Sequence, residues 1–296
     1  MDIKTYLKEK RALVDTFLKT HFASGLLPAI LSDPMAYSIF AGGKRIRPVL
    51  ALAAYEACGR TADEIVPFAS ALELIHTYSL IHDDLPAMDN DDLRRGKPTS
   101  HKVYGEGMAI LAGDALLTEA FYLLSSHSHD CSTVRSSAVL KIVREVAMAA
   151  GAHGMVAGQA EDIQAEGTGQ DGEHLAFIHT HKTGALITAS VRMGAILANA
   201  GKRRIGSLTR YGENIGFAFQ IVDDILDIKG NSAELGKPTG SDERKKKLTY
   251  PGLYGIEPSM RKAEELVRGA LDALGDFSDA ADPLREIARY LLERTN

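Results

Sequence analysis

The spacing of apolar residues along the chain predicts helices. Between residues 137 and 148, Val139, Ile142 and Val146 recur at three- and four-residue intervals, which is typical of an amphipathic helix. Another apolar face continues over 215–228. No segment alternates apolar and polar residues for long enough to require a β-strand. The pattern therefore predicts an all-α protein.

Helix-breaking residues divide this pattern into segments. No proline occurs between Pro98 and Pro238, so the middle of the chain lacks the strongest helix breaker. Turn-forming residues predict breaks at Asp33-Pro34, Gly42-Gly43, 59–63, 125–132, 167–172, 201–205 and 230–251. These breaks leave about ten helical segments. None of them is a long linker rich in proline or serine, so we expect residues 1–296 to form a single helical domain.

Composition and charge narrow the function classes. The chain is 45% hydrophobic and 25% charged, which is the balance of a globular protein with a sizeable core and excludes a disordered chain. Its 34 Lys and Arg residues against 39 Asp and Glu residues give a net charge of −5, so no overall positive field exists to bind nucleic acid or an anionic membrane. We therefore expect no nucleic-acid partner, and an anionic ligand must be bound by a local group of cations.

The two cysteines and the longest uncharged run indicate the cellular location of the protein. Cys58 and Cys131 lie in unlike contexts without a CxxC spacing, which argues against a disulfide framework or a zinc site. The longest uncharged run, 146–160, is too short and too rich in glycine to cross a bilayer. We expect a cytoplasmic protein with no stable membrane insertion.

The first candidate site is a cluster of acids after an apolar helical stretch. That stretch ends in Asp83 and Asp84, and two adjacent carboxylates at a helix C-terminus repel each other and oppose the helix dipole. A bound metal ion would stabilise them. Asp89 follows a proline-kinked turn that can bring it back beside Asp83, and Arg94 and Arg95 come next. Acids followed at once by cations suit a metal-bound polyphosphate.

A second acid cluster lies within another apolar segment. Gln220, Asp223, Asp224 and Asp227 fall at i, i+3, i+4 and i+7, so they share one helical stripe on which acids one turn apart can share a hard cation. Lysines follow this cluster as well. A single Asp-Asp pair is more often a solvated helix end, but its repetition in two apolar helices favours a site. Ligands that are all oxygens indicate Mg²⁺.

These residues belong to five motifs whose order resembles that of the short-chain trans-prenyl diphosphate synthases, most closely the bacterial-type farnesyl diphosphate synthases. The motifs are 42–48 (GGKRIRP), the first acid cluster extended through 91–99 (DDLRRGKPT), 181–184 (HKTG), the second acid cluster, and 247–251 (KLTYP). The match covers almost the whole chain. The resemblance implies an all-α helical bundle with a deep central cavity, in which the two acid clusters face each other, and a homodimer.

The resemblance also assigns site residues. The ligands of about three Mg²⁺ ions per site would be Asp83, Asp89, Asp223 and Asp227, with Asp84 and Asp224 as further catalytic acids. An allylic diphosphate would be bound by Arg94, Lys182, Thr183, Gln220, Lys237 and Lys247, of which Arg94, Lys182 and Lys237 are also catalytic. Isopentenyl diphosphate would be bound by Lys44, Arg47, His76 and Arg95. We assign Gln159, Glu161 and Asp162 to helix packing instead.

Product length would depend on the residue that closes the cavity beneath the first acid cluster. On an ideal helix Ser79 lies nearly under Asp83, whereas Tyr78 lies about 140° around the axis. The resemblance nevertheless assigns the stop to a bulky residue at position 78, and we follow it because several helices share the cavity floor. We therefore predict farnesyl diphosphate, made from isopentenyl diphosphate with dimethylallyl and then geranyl diphosphate. Geranylgeranyl or geranyl diphosphate is the alternative product.

The chemistry of this reaction fits those residues. Ionising an allylic diphosphate separates a carbocation from an anionic leaving group, which metal ions and cations stabilise while an apolar wall excludes water. The released diphosphate can take the final proton, because helix-borne residues such as His76 and His82 are more often hydrogen-bonding residues. A terpene cyclase would not need a second diphosphate site such as 43–47 with His76 and Arg95. A non-catalytic subunit would lack acids that both clusters retain here.

Overall fold

The computed structural model describes residues 1–126, 134–165, 171–229 and 247–293, and nearly all of their regular structure is helical. The α-helices are α1 (Ile3–Ala23), α2 (Ala29–Ile39), α3 (Ile46–Ala57), α4 (Val66–Asp83), α5 (Ser100–Tyr104), α6 (Glu106–Ser126), α7 (Ser136–Ala150), α8 (Met155–Ala165), α9 (Gly172–Ile178), α10 (Ala185–Leu197), α11 (Lys202–Lys229), α12 (Tyr250–Tyr254), α13 (Ile256–Ala273) and α14 (Asp282–Glu293). Two 3₁₀ turns (Ala62–Ile65 and Asp279–Ala281) and one π-helical turn (His179–Gly184) accompany them in the described chain. The predicted all-α fold is confirmed.

A short β-hairpin follows α4. Strand β1 (Leu93–Arg94) pairs antiparallel with strand β2 (Lys97–Pro98). The turn between them consists of Arg95 and Gly96, whose φ angles are 54° and 75°. Two positive φ angles give the turn a twist that matches the twist of paired strands. The apolar pattern did not predict this hairpin, because a strand of two residues is too short to alternate.

Side-chain caps begin several of the helices. Asp2 begins α1 by accepting hydrogen bonds from the backbone N–H groups of Lys4 at 3.2 Å and Thr5 at 3.3 Å. The hydroxyl of Thr249 begins α12 by accepting from the N–H of Gly252 at 3.2 Å. These caps satisfy N–H groups that the first turn of a helix leaves without an intrahelical partner.

The predicted break at Asp33-Pro34 is wrong, since both residues lie inside α2. Pro34 removes the hydrogen bond that an N–H at this position would donate to the carbonyl of Ile30. Ile30 is exposed, so water can bond to that carbonyl instead. The break at Gly42-Gly43 is confirmed between α2 and α3, and an unpredicted break at 151–154 separates α7 from α8.

Two apolar clusters hold the helices together. The first cluster joins α4 to α2, α6 and α7, and the second joins α11 to α3, α10, α13 and α14. Helices α3 and α10 approach closely at Gly194, where an added Cβ atom would lie 2.3 Å from the carbonyl oxygen of Ala51. Because α4 and α11 each pack into one of these clusters, the acids at their ends project from rigid elements.

Among the described helices, α6 is the one that is long and apolar enough to cross a membrane by length and composition. It packs on α4 and α2 within the first apolar cluster. Apolar core helices of globular proteins meet the same two criteria, so this finding by itself favours neither location.

Candidate active site

The first acid cluster lies where α4 ends. Asp83 is the last residue of α4, and the chain then turns back so that the N–H of Asp89 donates to the carbonyl of Asp83 at 2.8 Å. The N–H of Asn90 donates to the carbonyl of Leu85 at 3.0 Å. Asn90 has a φ angle of 51°, which asparagine tolerates better than most residues. The predicted return of Asp89 to the side of Asp83 is therefore confirmed.

The surroundings of Asp83 favour a bound cation. Burial, the largest cause, and the negative charge of Asp89 raise the pKa of the Asp83 carboxyl to about 6, against the opposing charges of Lys182, Arg94 and Lys247. Two neighbouring carboxylates disfavour their joint ionisation. A cation between them would reverse this effect, because it stabilises the charged form of both groups.

Asp84 binds Arg94. Asp84 is 3% exposed, and Nε of Arg94 donates to its Oδ1 at 3.0 Å while Nη2 contacts the same oxygen. Nη2 also lies 3.4 Å from Oδ2 of Asp91. Burial raises the pKa of Asp84 even though the hydrogen bonds from Arg94 oppose this shift. The ion pair holds the guanidinium of Arg94 beside the first acid cluster.

Two lysines from distant segments meet beside this cluster. Lys182 lies in the π-helical turn, and Lys247 lies shortly before α12. Nζ of Lys182 donates to Oδ2 of Asp162 at 2.6 Å, and Nζ of Lys247 lies 3.6 Å from the same oxygen. Lys247 also donates to Oδ1 of Asp89 at 3.2 Å. The structure thus brings Lys182 and Lys247 together at one buried carboxylate, and Lys247 connects that carboxylate to Asp89.

Asp162 belongs to this site, although the sequence predicts a packing role for it. It is 6% exposed and lies on the buried stripe of α8, which it shares with Met155, Gly158 and Ala165. One acid on a stripe of small and apolar residues is the sequence pattern that could have identified it. Gly158 also lets α8 approach the π-helical turn, because an added Cβ atom there would lie 2.1 Å from the backbone nitrogen of Lys182.

The second acid cluster lies on α11. Asp224 is buried, and its Oδ2 accepts a hydrogen bond from the N–H of Tyr250 at 2.8 Å and lies 3.4 Å from Nε2 of His179. Asp224 therefore connects α11 to the π-helical turn and to the start of α12. Asp227 is buried and Asp223 is half-buried on the same helix.

Of the other residues predicted to bind the allylic diphosphate, Thr183 and Gln220 lie within the described part of the chain. Thr183 is buried and follows Lys182 in the π-helical turn. Gln220 is half-buried, one helical turn before Asp223. Lys237 lies outside the described residues.

A group of cations forms between α3, α4 and the hairpin. Burial lowers the pKa of His76 well below its usual value, and the charges of Arg47 and Arg95 lower it further, so the imidazole is neutral at neutral pH. Burial also lowers the pKa of Arg47, with the charges of Glu73 and Asp223 opposing that shift. Arg47 and Arg95 are half-buried, and a group of partly buried cations with few neighbouring acids suits an anionic ligand.

The glycine loop before α3 shapes this group. Arg95 donates to the carbonyl of Gly42. At Gly43, where φ is 130°, an added Cβ atom would lie 2.5 Å from Nη1 of Arg95. Only glycine therefore allows Arg95 to lie against the loop. Lys44 follows Gly43 in the loop and is exposed. Arg47 and Arg95 act electrostatically on His76, so all four residues predicted to bind isopentenyl diphosphate lie in or beside this loop.

Tyr78 and Ser79 differ in what they contact. Tyr78 is 7% exposed, and its ring packs edge-to-face on the ring of His82 with centroids 5.7 Å apart. Burial raises the pKa of Tyr78 and the charge of Asp83 adds to the shift, so the phenol lies within electrostatic range of Asp83. The hydroxyl of Ser79 donates to the carbonyl of His76 in its own helix at 2.9 Å.

Comparison with known proteins extends these observations. A sequence profile of the polyprenyl synthetase family matches residues 28–282. The chain is 46% identical to a geranylgeranyl diphosphate synthase of Cyanophora paradoxa over 100% of this chain and 97% of that protein. It is 48% identical to a farnesyl diphosphate synthase of Geobacillus stearothermophilus over 88% of each protein. The crystal structure of a geranyltransferase from Legionella pneumophila matches it with a TM-score of 0.88 at 32% identity, over 99% of this chain and 98% of that one.

An all-α fold with two acid clusters, each accompanied by cations, defines a class of enzymes that act on isoprenoid diphosphates. The chain belongs to the polyprenyl synthetase family. It is a trans-prenyl diphosphate synthase, a prenyltransferase of isoprenoid biosynthesis whose substrates are small-molecule diphosphates.

Proposed function

We propose that this synthase makes farnesyl diphosphate by condensing isopentenyl diphosphate first with dimethylallyl and then with geranyl diphosphate. The observation that supports this product is Tyr78, a bulky and buried side chain within electrostatic range of Asp83. An allylic chain whose diphosphate is bound at the first acid cluster would run into this ring. The ring would stop growth at fifteen carbons.

The allylic diphosphate would bind at the two lysines beside the first acid cluster. Lys182 and Lys247 both lie at Asp162, so their ammonium groups are held in place before the substrate arrives. Both lysines would donate to oxygens of the leaving diphosphate, where negative charge develops as the allylic bond breaks. The remaining contacts to the allylic diphosphate would come from Arg94, which Asp84 holds by an ion pair, and from Thr183, Gln220 and Lys237.

The donor set fits Mg²⁺. Asp83, Asp89, Asp223 and Asp227 offer carboxylate oxygens, and the raised pKa of Asp83 fits a carboxyl whose counter-charge arrives with a ligand. In the described part of the chain, no three acidic, histidine or cysteine side chains converge closely enough to hold a metal ion by themselves. Mg²⁺ commonly takes only one or two carboxylates and completes its coordination with substrate phosphates and water. When bound, Mg²⁺ would neutralise charge on the leaving diphosphate.

Isopentenyl diphosphate would bind at the group formed by the cations Lys44, Arg47 and Arg95 together with the neutral side chain of His76. Partial burial removes part of the water around Arg47 and Arg95, which strengthens their attraction to an anion. The neutral imidazole of His76 can donate one hydrogen bond to the same diphosphate without adding charge. The final proton would pass to the released diphosphate, because burial and the surrounding arginines lower the pKa of His76 and so disfavour its protonation.

Geranylgeranyl diphosphate is the second candidate product, because the chain is 46% identical to a synthase of that name. The test is to incubate the purified chain with Mg²⁺, radiolabelled isopentenyl diphosphate and either dimethylallyl, geranyl or farnesyl diphosphate, and to size the products by chromatography. Fifteen-carbon products from the first two partners, with no extension of farnesyl diphosphate, would support the proposal. Dominant twenty-carbon products would refute it.

We also propose that the chain acts as a cytoplasmic homodimer. One face of α6 supports the dimer, because Ile110, Leu111 and, three turns later, Tyr122 are exposed there. Helix α6 contains no Lys or Arg, and the exposed acid on this face is Asp114, whose Oδ1 lies 3.9 Å from Nε2 of His82, so a second copy would have to pack beside one carboxylate. The cytoplasmic location rests on the sparse cysteines and their spacing, and cell fractionation tests it.

Light scattering during gel filtration tests the dimer. We expect twice the mass of one chain for the unmodified protein and a monomer for Leu111→Glu, which places a charge on the exposed face of α6. Leu26→Glu is the matched control, because Leu26 is also an exposed leucine but lies in the turn between α1 and α2. A monomeric unmodified chain would refute the proposed dimer.

A further inference from the structure

Arg45 lies in the glycine loop in an unusual conformation. Its φ of 53° and ψ of 35° fall in the left-handed region, which a residue with a large side chain adopts only when other interactions stabilise it. Arg45 is 3% exposed although it is charged. A buried guanidinium needs hydrogen-bond acceptors for its N–H groups, so its partners show what holds the loop.

The partners of Arg45 come from three helices and the loop itself. Nε donates to Oδ1 of Asp15 on α1 at 2.8 Å, and Nη1 donates to Oε1 of Glu73 on α4 at 2.8 Å. Nη2 donates to the carbonyl of Ile39, the last residue of α2, at 2.7 Å. Nη1 also donates to the carbonyl of Gly42 at 3.3 Å. One guanidinium therefore fixes the loop to α1, α2 and α4.

Asp15 is the least expected of these partners. It lies on α1, which ends at Ala23, whereas the match to the family profile begins at residue 28. The side chain of Asp15 is 20% exposed, compared with 2% for Glu73, and its Oδ2 accepts a hydrogen bond from Arg11 at 3.1 Å. A carboxylate outside the matched region thus contributes to the loop that precedes α3.

The loop that Arg45 fixes leads into the proposed isopentenyl diphosphate site. Lys44 precedes Arg45, and Arg47 follows it in the first turn of α3. The carbonyl of Gly42 accepts hydrogen bonds from both Arg45 and Arg95. A displacement of Arg45 would therefore move the other three cations together.

We propose that Arg45 is a positioning residue for the isopentenyl diphosphate site and that Asp15 on α1 acts through it. The inference rests on the proposed function, in which the neighbouring cations bind that substrate. Glu73 is the other counter-charge of Arg45, but its charge also acts on Arg47 and Arg95 directly. Asp15 reaches the site through Arg45, so it is the better position for a test.

The variant Asp15→Asn keeps the shape of the side chain and removes its charge. The hydrogen bond between Arg45 and residue 15 would then join a charged group to a neutral one and would be weaker. We therefore expect Arg45 to hold the loop less firmly and the KM for isopentenyl diphosphate to rise about tenfold. The KM for the allylic diphosphate should change little, and the melting temperature should fall by only a few degrees, because Arg45 keeps its acceptors Glu73 and Ile39. Glu9→Gln is the matched control, since it removes the same charge from an exposed position of α1. Asp15→Glu restores the carboxylate and should recover most of the wild-type KM.

A second variant, Arg45→Lys, keeps the positive charge but cannot bond all of the acceptors that the planar guanidinium reaches. It should raise the KM for isopentenyl diphosphate more than Asp15→Asn does. Equal changes in both KM values for Asp15→Asn, or an effect no larger than that of Glu9→Gln, would overturn the positioning role while leaving the proposed function standing. Absence of condensation by the wild-type chain would instead overturn the proposed function, and the inference with it.

Discussion

Replacing Tyr78 by alanine is expected to lengthen the product from fifteen to twenty carbons. Tyr78 lies in the first apolar cluster, edge-to-face on His82 and within electrostatic range of Asp83. The phenol that is removed has about seven non-hydrogen atoms, close to the five carbons that one further condensation adds. Since protein interiors are close-packed, space of that size appears where a large side chain is removed. The allylic chain can then accept one more unit.

The same substitution should lower stability without unfolding the protein. Truncating a buried aromatic side chain costs about 3–5 kcal/mol, and the ring pair with His82 accounts for about 0.5–1.5 kcal/mol of this. The polar end of Tyr78 lies near the charge of Asp83, so we expect a loss near the lower limit, about 3 kcal/mol. Folded domains have about 5–15 kcal/mol of stability, which leaves a folded variant to assay.

Product sizing with labelled isopentenyl diphosphate and geranyl diphosphate measures the product, and urea unfolding measures the stability. Tyr78→Phe is the matched control, because it keeps the ring and removes only the hydroxyl, so fifteen-carbon products should persist. A folded Tyr78→Ala variant that still stops at fifteen carbons would remove Tyr78 from the cavity floor.

Three further perturbations test other parts of the site. Asp162→Asn should lower kcat/KM about 10- to 100-fold in steady-state kinetics, because Lys182 and Lys247 lose their shared carboxylate. A similar loss for the neighbouring variant Glu161→Gln would contradict this. Gly43→Ala should raise the KM for isopentenyl diphosphate about tenfold, because the added Cβ would displace Arg95. Gly25→Ala controls for the positive φ alone, since nothing lies within 4 Å of an added Cβ there, and the same KM for both variants would argue against the displacement. Chelation of divalent cations should abolish turnover and added Mg²⁺ should restore it; turnover that persists with excess chelator would disprove the metal requirement.

The relation between Asp83 and Asp89 could be predicted from sequence because it is local. Both residues belong to one short segment, and backbone hydrogen bonds within that segment close the turn. The stripe of acids on α11 is local in the same sense, because helix geometry places residues three and four apart on one face. Short-range spacing was therefore enough for the acid clusters.

The different partners of Asp84 and Asp224 could not be predicted in this way. Each is the second acid of an Asp-Asp pair, so the local sequence pattern predicts the same role for both. Asp84 binds Arg94 in the same segment, whereas Asp224 accepts from the N–H of Tyr250, which is 26 residues away. The partner of a buried carboxylate depends on which elements pack around it, and spacing along one helix does not contain that information.

The sequence by itself determined the helical class, the two acid clusters and the family resemblance, because periodicity and motif spacing are properties of neighbouring residues. Only the tertiary structure decided that Asp162 joins Lys182 to Lys247 and that Asp15 holds the loop through Arg45. Asp15 and Arg45 are 30 residues apart, and Asp89 and Lys247 are 158 apart. A helical period specifies which side chains share a face, but the packing of whole helices decides which faces meet and therefore which charges become partners.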